Sequence, residues 1–246
     1  MGEKGLLGRF FGVGVGPGDP ELITLKALKV LTTVDVICAP KANAKRSSLA
    51  LRVVRRAIQL PNEGQELVEL VYPMVRDSKL REMALEKNVE IIVSRLRDRK
   101  DVAFITLGDP LFYSTFIYTY RKVLEKLPNV YVEVIPGVTS ISACAAASRT
   151  PIAEAEDVIV IVPATSNLER LESLANQADT VILLKGIKNA KGLCEALKGG
   201  GFKEDSRVVV VRNVGGPSEE VKVMRLHDLQ ELTERSYLST VIVRRC

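Results

Sequence analysis

The chain has 246 residues, of which 46% are hydrophobic and 26% charged, and its net charge is +5. These proportions are typical of a soluble globular protein and exclude a disordered chain, and the length suits one large or two modest domains. No apolar run reaches the roughly 18 residues of a membrane span, and the N-terminus lacks an apolar core followed by a cleavage site. We therefore expect a cytoplasmic protein without a membrane partner.

Cysteine and histidine usage argues against metal and redox chemistry. The four cysteines are far apart and form no C-x-x-C pair, and the single histidine is His227, beside Asp228. A zinc site or a hydrolytic triad needs several such residues placed together by the fold. The sequence therefore predicts no bound metal, and a surface or capping role for His227.

Basic residues are spread along the chain, apart from short clusters such as Lys45-Arg46. They form no stripe of alternating basic and aromatic residues, as a nucleic-acid interface would need. A positive balance also suits an anionic small molecule. We therefore expect no nucleic-acid partner and favour a small-molecule substrate.

In the first half of the chain, short β-branched apolar runs alternate with helical patterns. This alternation is typical of strand-helix-strand units that form a parallel sheet. Apolar residues recur at helical spacing over residues 21–31 and 78–97, which predicts two helices. Strands are predicted at residues 10–15, 34–39, 67–71, 102–107 and 130–135.

The second half has the same two kinds of pattern in a different order. Helices are predicted at residues 167–176 and 190–197, and strands at 158–162, 180–184, 207–212, 220–225 and 240–244. The last three strands follow one another closely, which favours antiparallel pairing. We divide the chain into two α/β domains, residues 1–136 with a parallel sheet and residues 137–246 with a mixed sheet.

The segment FFGVGVGPGDP, residues 10–20, carries four glycines and two prolines after an apolar start. It does not fit the G-x-G-x-x-G spacing of dinucleotide loops, because the third glycine position holds Pro17, Asp19 or Glu21 in the three registers. No glycine here is followed by Lys and then Ser or Thr, as a phosphate-binding P-loop requires. Because the Asp19 carboxylate would repel a phosphate, the loop predicts a neutral or positive ligand.

The triplet Gly-Asp-Pro follows a predicted strand twice, at residues 18–20 and at residues 108–110. In a parallel sheet both turns lie at the carboxyl ends of their strands, where open α/β sheets bind ligands. Alternatively, each Asp caps a helix that begins with Pro. Both interpretations are compatible with loops that line a pocket.

A third loop precedes the small-residue stretch at residues 141–148. Its Thr139 and Ser140 offer hydroxyl and backbone groups to a ligand, or the alanine-rich helix simply packs closely.

Three segments occur in a fixed order: FFGVGVGPGDPELITLKALKVL, TLGDPLFYST and VEVIPGVTSISACAA. Together they resemble the tetrapyrrole methylases, the S-adenosylmethionine-dependent enzymes of the cobalamin and sirohaem pathways, over nearly the whole chain. The resemblance implies a class III methyltransferase fold, with two α/β domains and a cofactor cleft between them, and a homodimer. S-adenosylmethionine has a sulfonium cation and no phosphate, which agrees with the ligand charge expected at the first loop.

The resemblance also implies residues that bind the cofactor, with S-adenosylhomocysteine as product. Lys185 departs from the methionine often found at this point in relatives. The implied residues are Pro17, Leu107, Gly108, Asp109, Phe112, Thr139, Ser140, Lys185, Val214, Gly215, Ser239, Thr240 and Val241.

Two further groups of residues are predicted to serve the reaction. A base must remove the proton displaced at the methylated carbon, and we favour Asp109 over Tyr113 or solvent as the catalytic residue. The substrate carries many carboxylates, which basic side chains can pair. Candidates in segments expected to border the cleft are Lys41, Lys45, Arg46 and Arg76, although each also suits a solvated surface position.

Shorter stretches resemble the subfamily that methylates carbon 20 of precorrin-2 or cobalt-factor II in cobalamin biosynthesis. They include residues 13–22, 39–41, 48–50, 71–74 and 237–243. Two alternatives remain open: methylation of another precorrin position or of uroporphyrinogen, and a non-catalytic module that senses S-adenosylmethionine. A dinucleotide oxidoreductase is disfavoured by the glycine spacing of the first loop.

Overall fold

The computed structural model describes residues 7–75, 77–164, 167–187, 189–232 and 238–245. The chain divides into two compact units, Met1–Thr139 and Ser140–Cys246. Within these described ranges, each unit contains one five-stranded sheet.

The sheet of the N-terminal unit is entirely parallel. Its strands are β1 (Phe10–Gly14), β2 (Val36–Lys41), β3 (Glu66–Val71), β4 (Val102–Thr106) and β5 (Val132–Ile135). They lie in the order β3-β2-β4-β1-β5, and every neighbouring pair runs in the same direction. The predicted parallel pairing is confirmed, and the loops that follow all five strands therefore lie at one edge of the sheet.

Helices cover both faces of this sheet. They are α1 (Leu25–Thr33), α2 (Leu49–Ala57), α3 (Ser78–Arg97) and α4 (Phe116–Lys126). Apolar side chains of α1 and α2 pack with Val13 and Ile105, whereas α3 and α4 pack with Phe10 and Phe104. The ring of Phe116 lies so close to Gly12 that a Cβ there would overlap it, so the core requires glycine in β1.

The predicted helix at residues 21–31 is wrong in its first turn. Asp19 caps a separate 3-10 turn at Pro20–Leu22, and Ile23 is extended. Thr24 then caps α1 by accepting a hydrogen bond from the Ala27 N–H. Two successive capping side chains divide the segment into two helical pieces, because each offers backbone N–H groups a partner at a new start.

The sheet of the C-terminal unit is mixed. Its strands are β6 (Ile159–Pro163), β7 (Thr180–Leu184), β8 (Arg207–Arg212), β9 (Glu220–Arg225) and β10 (Ser239–Arg244), in the order β6-β7-β10-β8-β9. β6 and β7 are parallel and the other neighbouring pairs are antiparallel. The predicted antiparallel pairing of the last strands is confirmed, but β10 lies between β7 and β8 rather than beside β9.

The helices of the C-terminal unit lie on both faces of its sheet. They are α5 (Ser140–Ser148), α6 (Leu168–Ala175) and α7 (Ala190–Gly199), and a 3-10 turn spans Leu226–Glu231. Residues of α6 and α7 share one core cluster with Val241 of β10. Ser140 of α5 instead contacts Thr240, whose side chain points to the opposite face of the strand.

Arg245 caps the C-terminal ends of two helices at once. Its guanidinium donates to Ala175 O at 2.8 Å and Ala178 O at 2.6 Å, at the end of α6. It also donates to Gly200 O at 2.8 Å and Gly201 O at 2.9 Å, just after α7. The last carbonyls of a helix lack intrahelical partners, so one planar cation satisfies both ends.

Three described cysteines are free and buried: Cys38 in β2, Cys144 in α5 and Cys194 in α7. Burial raises the pKa of the Cys38 and Cys144 thiols to about 12 and also raises the pKa of Cys194. These thiols are therefore protonated side chains of the two cores. Within the described ranges, no helix combines the length and apolar character that a membrane span requires.

Candidate active site

β1 and β4 lie side by side, and the chain leaves them in opposite directions. From β1 it passes through α1 to β2, and from β4 through α4 to β5 on the other side of β1. Such a reversal opens a crevice at the carboxyl ends of the two strands, where open α/β sheets bind ligands. One Gly-Asp-Pro turn follows each of these strands, so the structure places both turns at this crevice.

Three loops meet at the crevice through their glycines. Gly108 N–H donates to Gly16 O at 2.8 Å, and both glycines have φ near +72° (+73° at Gly16, +72° at Gly108). A Cβ on Gly14 would lie 2.6 Å from Gly108 O, and one on Gly137 would overlap that oxygen even more. The loops are therefore in direct backbone contact, which no other residue type permits at Gly14 or Gly137.

Gly108 differs from its neighbours because its open side faces free space. A Cβ built there meets no atom within 4 Å. A bound molecule can therefore approach the main chain at Gly108 more closely than it could approach any residue with a side chain.

Asp109 joins the second loop to the third. Its Oδ1 accepts from the Leu111 N–H at 2.9 Å and its Oδ2 accepts from the Gly137 N–H at 3.0 Å. Asp19 instead caps its own turn, since its Oδ1 accepts from the Glu21 N–H at 2.9 Å. The capping interpretation is confirmed for Asp19, whereas Asp109 also fixes the distance between two loops of the site.

The loop after β4 is held at both ends by two buried hydroxyls that the sequence interpretation did not single out. Thr106 Oγ1 and Ser114 Oγ are 2.9 Å apart, and Ser114 Oγ also accepts from the Phe116 N–H at 3.1 Å. Phe112 and Tyr113, between these anchors, are partly exposed, with their rings edge to face at 5.0 Å. The loop therefore presents an aromatic rim on a fixed base.

The predicted cofactor residues of the N-terminal unit gather at this edge. Each lies in a loop that follows β1, β4 or β5: Pro17, Leu107, Gly108, Asp109, Phe112 and Thr139. Pro17 is buried, and the others are partly or largely accessible. These loops contain no Lys or Arg at residues 12–20, 107–114 or 135–140. Arg56 of α2 contacts the first loop, but its Nη1 donates to Gly18 O at 3.1 Å. Loops without a Lys or Arg of their own fit a nucleoside that carries a sulfonium.

Most of the predicted cofactor residues of the C-terminal unit also share one edge. Lys185 follows β7, Val214 and Gly215 follow β8, and Ser239 and Thr240 begin β10. Because β10 is antiparallel to both neighbours, its start lies beside their ends, with Thr240 opposite Leu184.

Ser140 and Val241 occupy different positions in the C-terminal unit. Thr240 Oγ1 donates to Ser140 Oγ at 3.2 Å, which places Ser140 with the polar residues of this edge. Val241 is 1% exposed, and its side chain belongs to the core with α6 and α7. The side chain of Val241 is therefore a packing residue, and any ligand contact there would involve its backbone.

Several residues at this second edge adopt the left-handed backbone conformation that favours glycine. They include Lys185 with φ +68° and Asn213 with φ +49°, beside Gly215 with φ +72°. The Gly215 N–H donates to Glu219 Oε2 at 2.7 Å, and the Asn213 N–H donates to Leu238 O at 2.8 Å. Non-glycine residues in this region store strain that often accompanies functional sites.

The predicted substrate residues have different surroundings. Lys41 ends β2, and its Nζ lies 2.9 Å from Glu69 Oε2. Lys45 and Arg46 are exposed in the following loop, and both their N–H groups donate to Asn43 Oδ1 at 3.0 Å. Arg76 lies outside the described residues. Of the three predicted substrate residues that the structure describes, Lys45 and Arg46 are therefore placed as exposed cations at the carboxyl edge of the first sheet, and Lys41 is paired.

The described residues contain no group of three His, Cys, Asp or Glu side chains arranged to hold a metal ion. His227 is exposed on the surface, where its Nε2 lies 2.9 Å from Asp228 Oδ1. The chemistry available at the two edges is therefore that of backbone groups, hydroxyls, carboxylates and basic side chains.

Comparison with known proteins gives a consistent result. Residues 9–230 match the family model of tetrapyrrole (corrin/porphyrin) methylases. A relative from Methanocaldococcus jannaschii, named "Probable cobalt-precorrin-2 C(20)-methyltransferase", is 32% identical over 98% of this chain and 97% of its own. The precorrin-2 C(20)-methyltransferase of a Sinorhizobium species is 30% identical over 96% and 95% of the two chains. A solved cobalt precorrin-4 methyltransferase structure has a TM-score of 0.77 at 25% identity, covering 96% and 94%.

Proposed function

The chain belongs to the tetrapyrrole methylase family, and from this premise we propose that it methylates carbon 20 of precorrin-2 or cobalt-factor II. It is an S-adenosylmethionine-dependent C-methyltransferase of cobalamin biosynthesis. We choose carbon 20 because this chain is 32% identical, over 98% of its length, to a relative named as a C(20)-methyltransferase.

S-adenosylmethionine supplies a methyl group already activated on a sulfonium. The chain's own task is to hold that group against the acceptor carbon, an effect that can lower a barrier by roughly 7 to 11 kcal/mol. We assign the binding of S-adenosylmethionine to the open main chain of Gly108, together with Pro17, Leu107 and Phe112. The remaining contacts come from Thr139, Ser140, Lys185, Val214, Gly215, Ser239, Thr240 and the backbone of Val241.

Asp109 accepts the proton displaced from the methylated carbon in this proposal. A carboxylate has about four lone-pair positions, of which the two backbone N–H groups occupy one on each oxygen. The free positions leave Asp109 able to accept a proton while the Gly137 and Leu111 N–H groups fix its orientation.

An Asp109→Asn variant tests this role. Loss of a positioned base lowers kcat at saturating cofactor by about a hundredfold or more. A Tyr113→Phe variant is the matched control and should keep its kcat. If Asp109→Asn weakens cofactor binding but keeps kcat, Asp109 only links the two loops and the base lies elsewhere.

The acceptor carries several carboxylates, and we propose that exposed cations at the carboxyl edge of the first sheet pair with them. Lys45 and Arg46 meet this requirement. Lys41 already pairs with Glu69, and Arg76 remains a prediction from the sequence.

The decisive assay offers precorrin-2 and cobalt-factor II side by side with labelled S-adenosylmethionine. The expected product has one added methyl group on carbon 20, located by mass and proton spectra. Methylation of another carbon, or of uroporphyrinogen alone, would contradict the proposed position. Cofactor binding without transfer to any tetrapyrrole would instead identify a sensing module.

We also propose a cytoplasmic homodimer. The free thiols of Cys38, Cys144 and Cys194 suit a reducing compartment. Leu80 and Met83 are exposed on one face of α3 and give a second copy an apolar surface to cover. Light scattering should give twice the chain mass of 27.0 kDa, and a monomer at micromolar concentration would contradict the proposal.

A further inference from the structure

The carboxylate of Glu69, on β3, contacts both ends of the basic loop, which we define as residues 42–47. Its Oε2 lies 2.9 Å from the Nζ of Lys41, the residue before the loop. Its Oε1 accepts from the N–H of Ser48, the residue after the loop, at 3.2 Å. One side chain on the neighbouring strand therefore fixes where the basic loop starts and where it ends.

Both contacts of Glu69 are built into the fold. Ser48 is fully buried and caps α2 by accepting from the Leu51 N–H. The Lys41 side chain is only 14% exposed, and its bond to Glu69 is the main cause that lowers the pKa of Glu69. The charge of Lys41 is therefore compensated within the fold by Glu69.

The interior of the basic loop has its own fixed turn. Asn43 Oδ1 accepts from the N–H groups of both Lys45 and Arg46. The two basic side chains are exposed, and within the described part of the chain neither forms an ion pair. The loop therefore holds two uncompensated cations at the edge of the sheet where the crevice lies.

From these contacts we propose that Glu69 is a positioning residue for acceptor recognition. It holds the basic loop in the geometry in which Lys45 and Arg46 pair with the carboxylates of the acceptor. A loop that is ordered before binding loses less conformational freedom when the acceptor binds. The inference rests on the proposed function, because the acceptor is that of the same reaction.

The test compares Glu69→Gln, the double variant Lys45→Gln/Arg46→Gln, and the triple variant that combines them. For each, KM for precorrin-2, kcat, and calorimetric affinity for S-adenosylhomocysteine are measured at low and high salt. Glu63→Gln, an exposed carboxylate in the turn before β3, is the matched control. Glu69→Asp, which keeps the charge, provides a second variant if Glu69→Gln does not fold.

The double variant should raise KM by about tenfold at low salt, with a smaller effect at high salt. Glu69→Gln should raise KM severalfold without changing kcat or cofactor affinity, and Glu69→Asp should recover part of the loss. The triple variant should be no worse than the double variant, because Glu69 acts through the two cations. Glu63→Gln should match the parent protein.

Two results with the Glu69 variants would overturn the inference. One is an additive triple variant, and the other is a Glu69→Gln variant that changes kcat or cofactor affinity while KM stays constant. Failure of the parent protein to methylate any tetrapyrrole would remove the proposed function and this inference together. Normal methylation with an unchanged KM in the double variant would remove the inference alone.

Discussion

The candidate site edges of the two units differ in the chemical groups that form them. In the N-terminal unit, Gly14, Gly108 and Gly137 bring three loops into backbone contact, and one carboxylate joins two of them. In the C-terminal unit, the edge is made of side chains such as Thr240 and of strained residues such as Lys185. The first edge cannot accept added atoms in its interior, whereas the second can change its side chains. We infer that the backbone geometry of the first edge is fixed, whereas the second edge tolerates changes of side chain.

The largest expected effect comes from adding a methyl group inside the first edge. A Cβ in Gly137→Ala would overlap the Gly108 carbonyl, which should lower stability by about 3 kcal/mol. In Gly108→Ala the added methyl group meets no atom. This variant should lose about 1 to 2 kcal/mol of stability, because residue 108 has a left-handed backbone conformation. Urea unfolding measures both changes. In calorimetry, Gly108→Ala should still weaken S-adenosylhomocysteine binding, because its methyl group enters the open side of the loop.

A Gly137→Ala variant as stable as the parent protein would contradict the contrast between the two edges. In that case the loops could separate, and the backbone contact would not define the site.

The second expected effect concerns the C-terminal unit alone. Arg245→Ala removes charged hydrogen bonds to the ends of α6 and α7 and a contact with the Phe202 ring at 4.7 Å. The stability of this unit should fall by about 2 kcal/mol. Hydrogen exchange should show faster opening of β6–β10 and unchanged protection of β1–β5. Arg245→Lys should recover only part of the loss, because an ammonium cannot span both helix ends.

The pH dependence of stability tests how much the ion pair between Arg95 and Glu66 stabilises the edge strand β3. Arg95 Nε and Nη2 bond both oxygens of Glu66, at 2.9 and 2.8 Å, and Arg95 is the main cause that lowers the Glu66 pKa. A lowered pKa stabilises the fold above the unfolded-state value, and this gain disappears as the pH falls through the folded-state value. Glu66→Gln should therefore lose up to about 1 kcal/mol at pH 7 and be less sensitive to acid than the parent protein.

Urea midpoints between about pH 7 and pH 3 measure this difference. Parallel curves for Glu66→Gln and the parent protein would show that the pair contributes no pH dependence.

The smallest expected effect is a gain in stability. Arg207 on β8 lies directly opposite Arg225 on β9 and Arg244 on β10. Like charges in this arrangement repel, so Arg207→Glu should stabilise the C-terminal unit by about 0.5 kcal/mol at low salt. Arg207→Gln should give about half of that gain. The gain should vanish at high salt, and a salt-independent change would point to packing instead.

Sequence patterns predicted the features that depend on local chemistry. The β-branched runs predicted the strands to within two residues at each end, because buried strands need such side chains over a short length. The glycines of the site segments were visible in the sequence because close backbone contact at Gly14 and positive φ at Gly108 require this residue type. These demands act on single residues and therefore appear in the sequence.

The features that escaped prediction depend on contacts between distant parts of the chain. No local signal places β10 between β7 and β8, since strand order is decided by pairing across the whole unit. The ion pair of Lys41 with Glu69 leaves no local signal, because the two residues are 28 positions apart in the sequence. Thr106 and Ser114 become recognisable as a pair only when the loop between them is folded.

The buried thiols allow the opening rate of each unit to be measured separately. Cys38 sits in the first core and Cys144 and Cys194 in the second, so an alkylating reagent reaches them only after the surrounding structure opens. Peptide mass spectrometry after timed alkylation would thus record two opening rates from one unlabelled sample, one for each half.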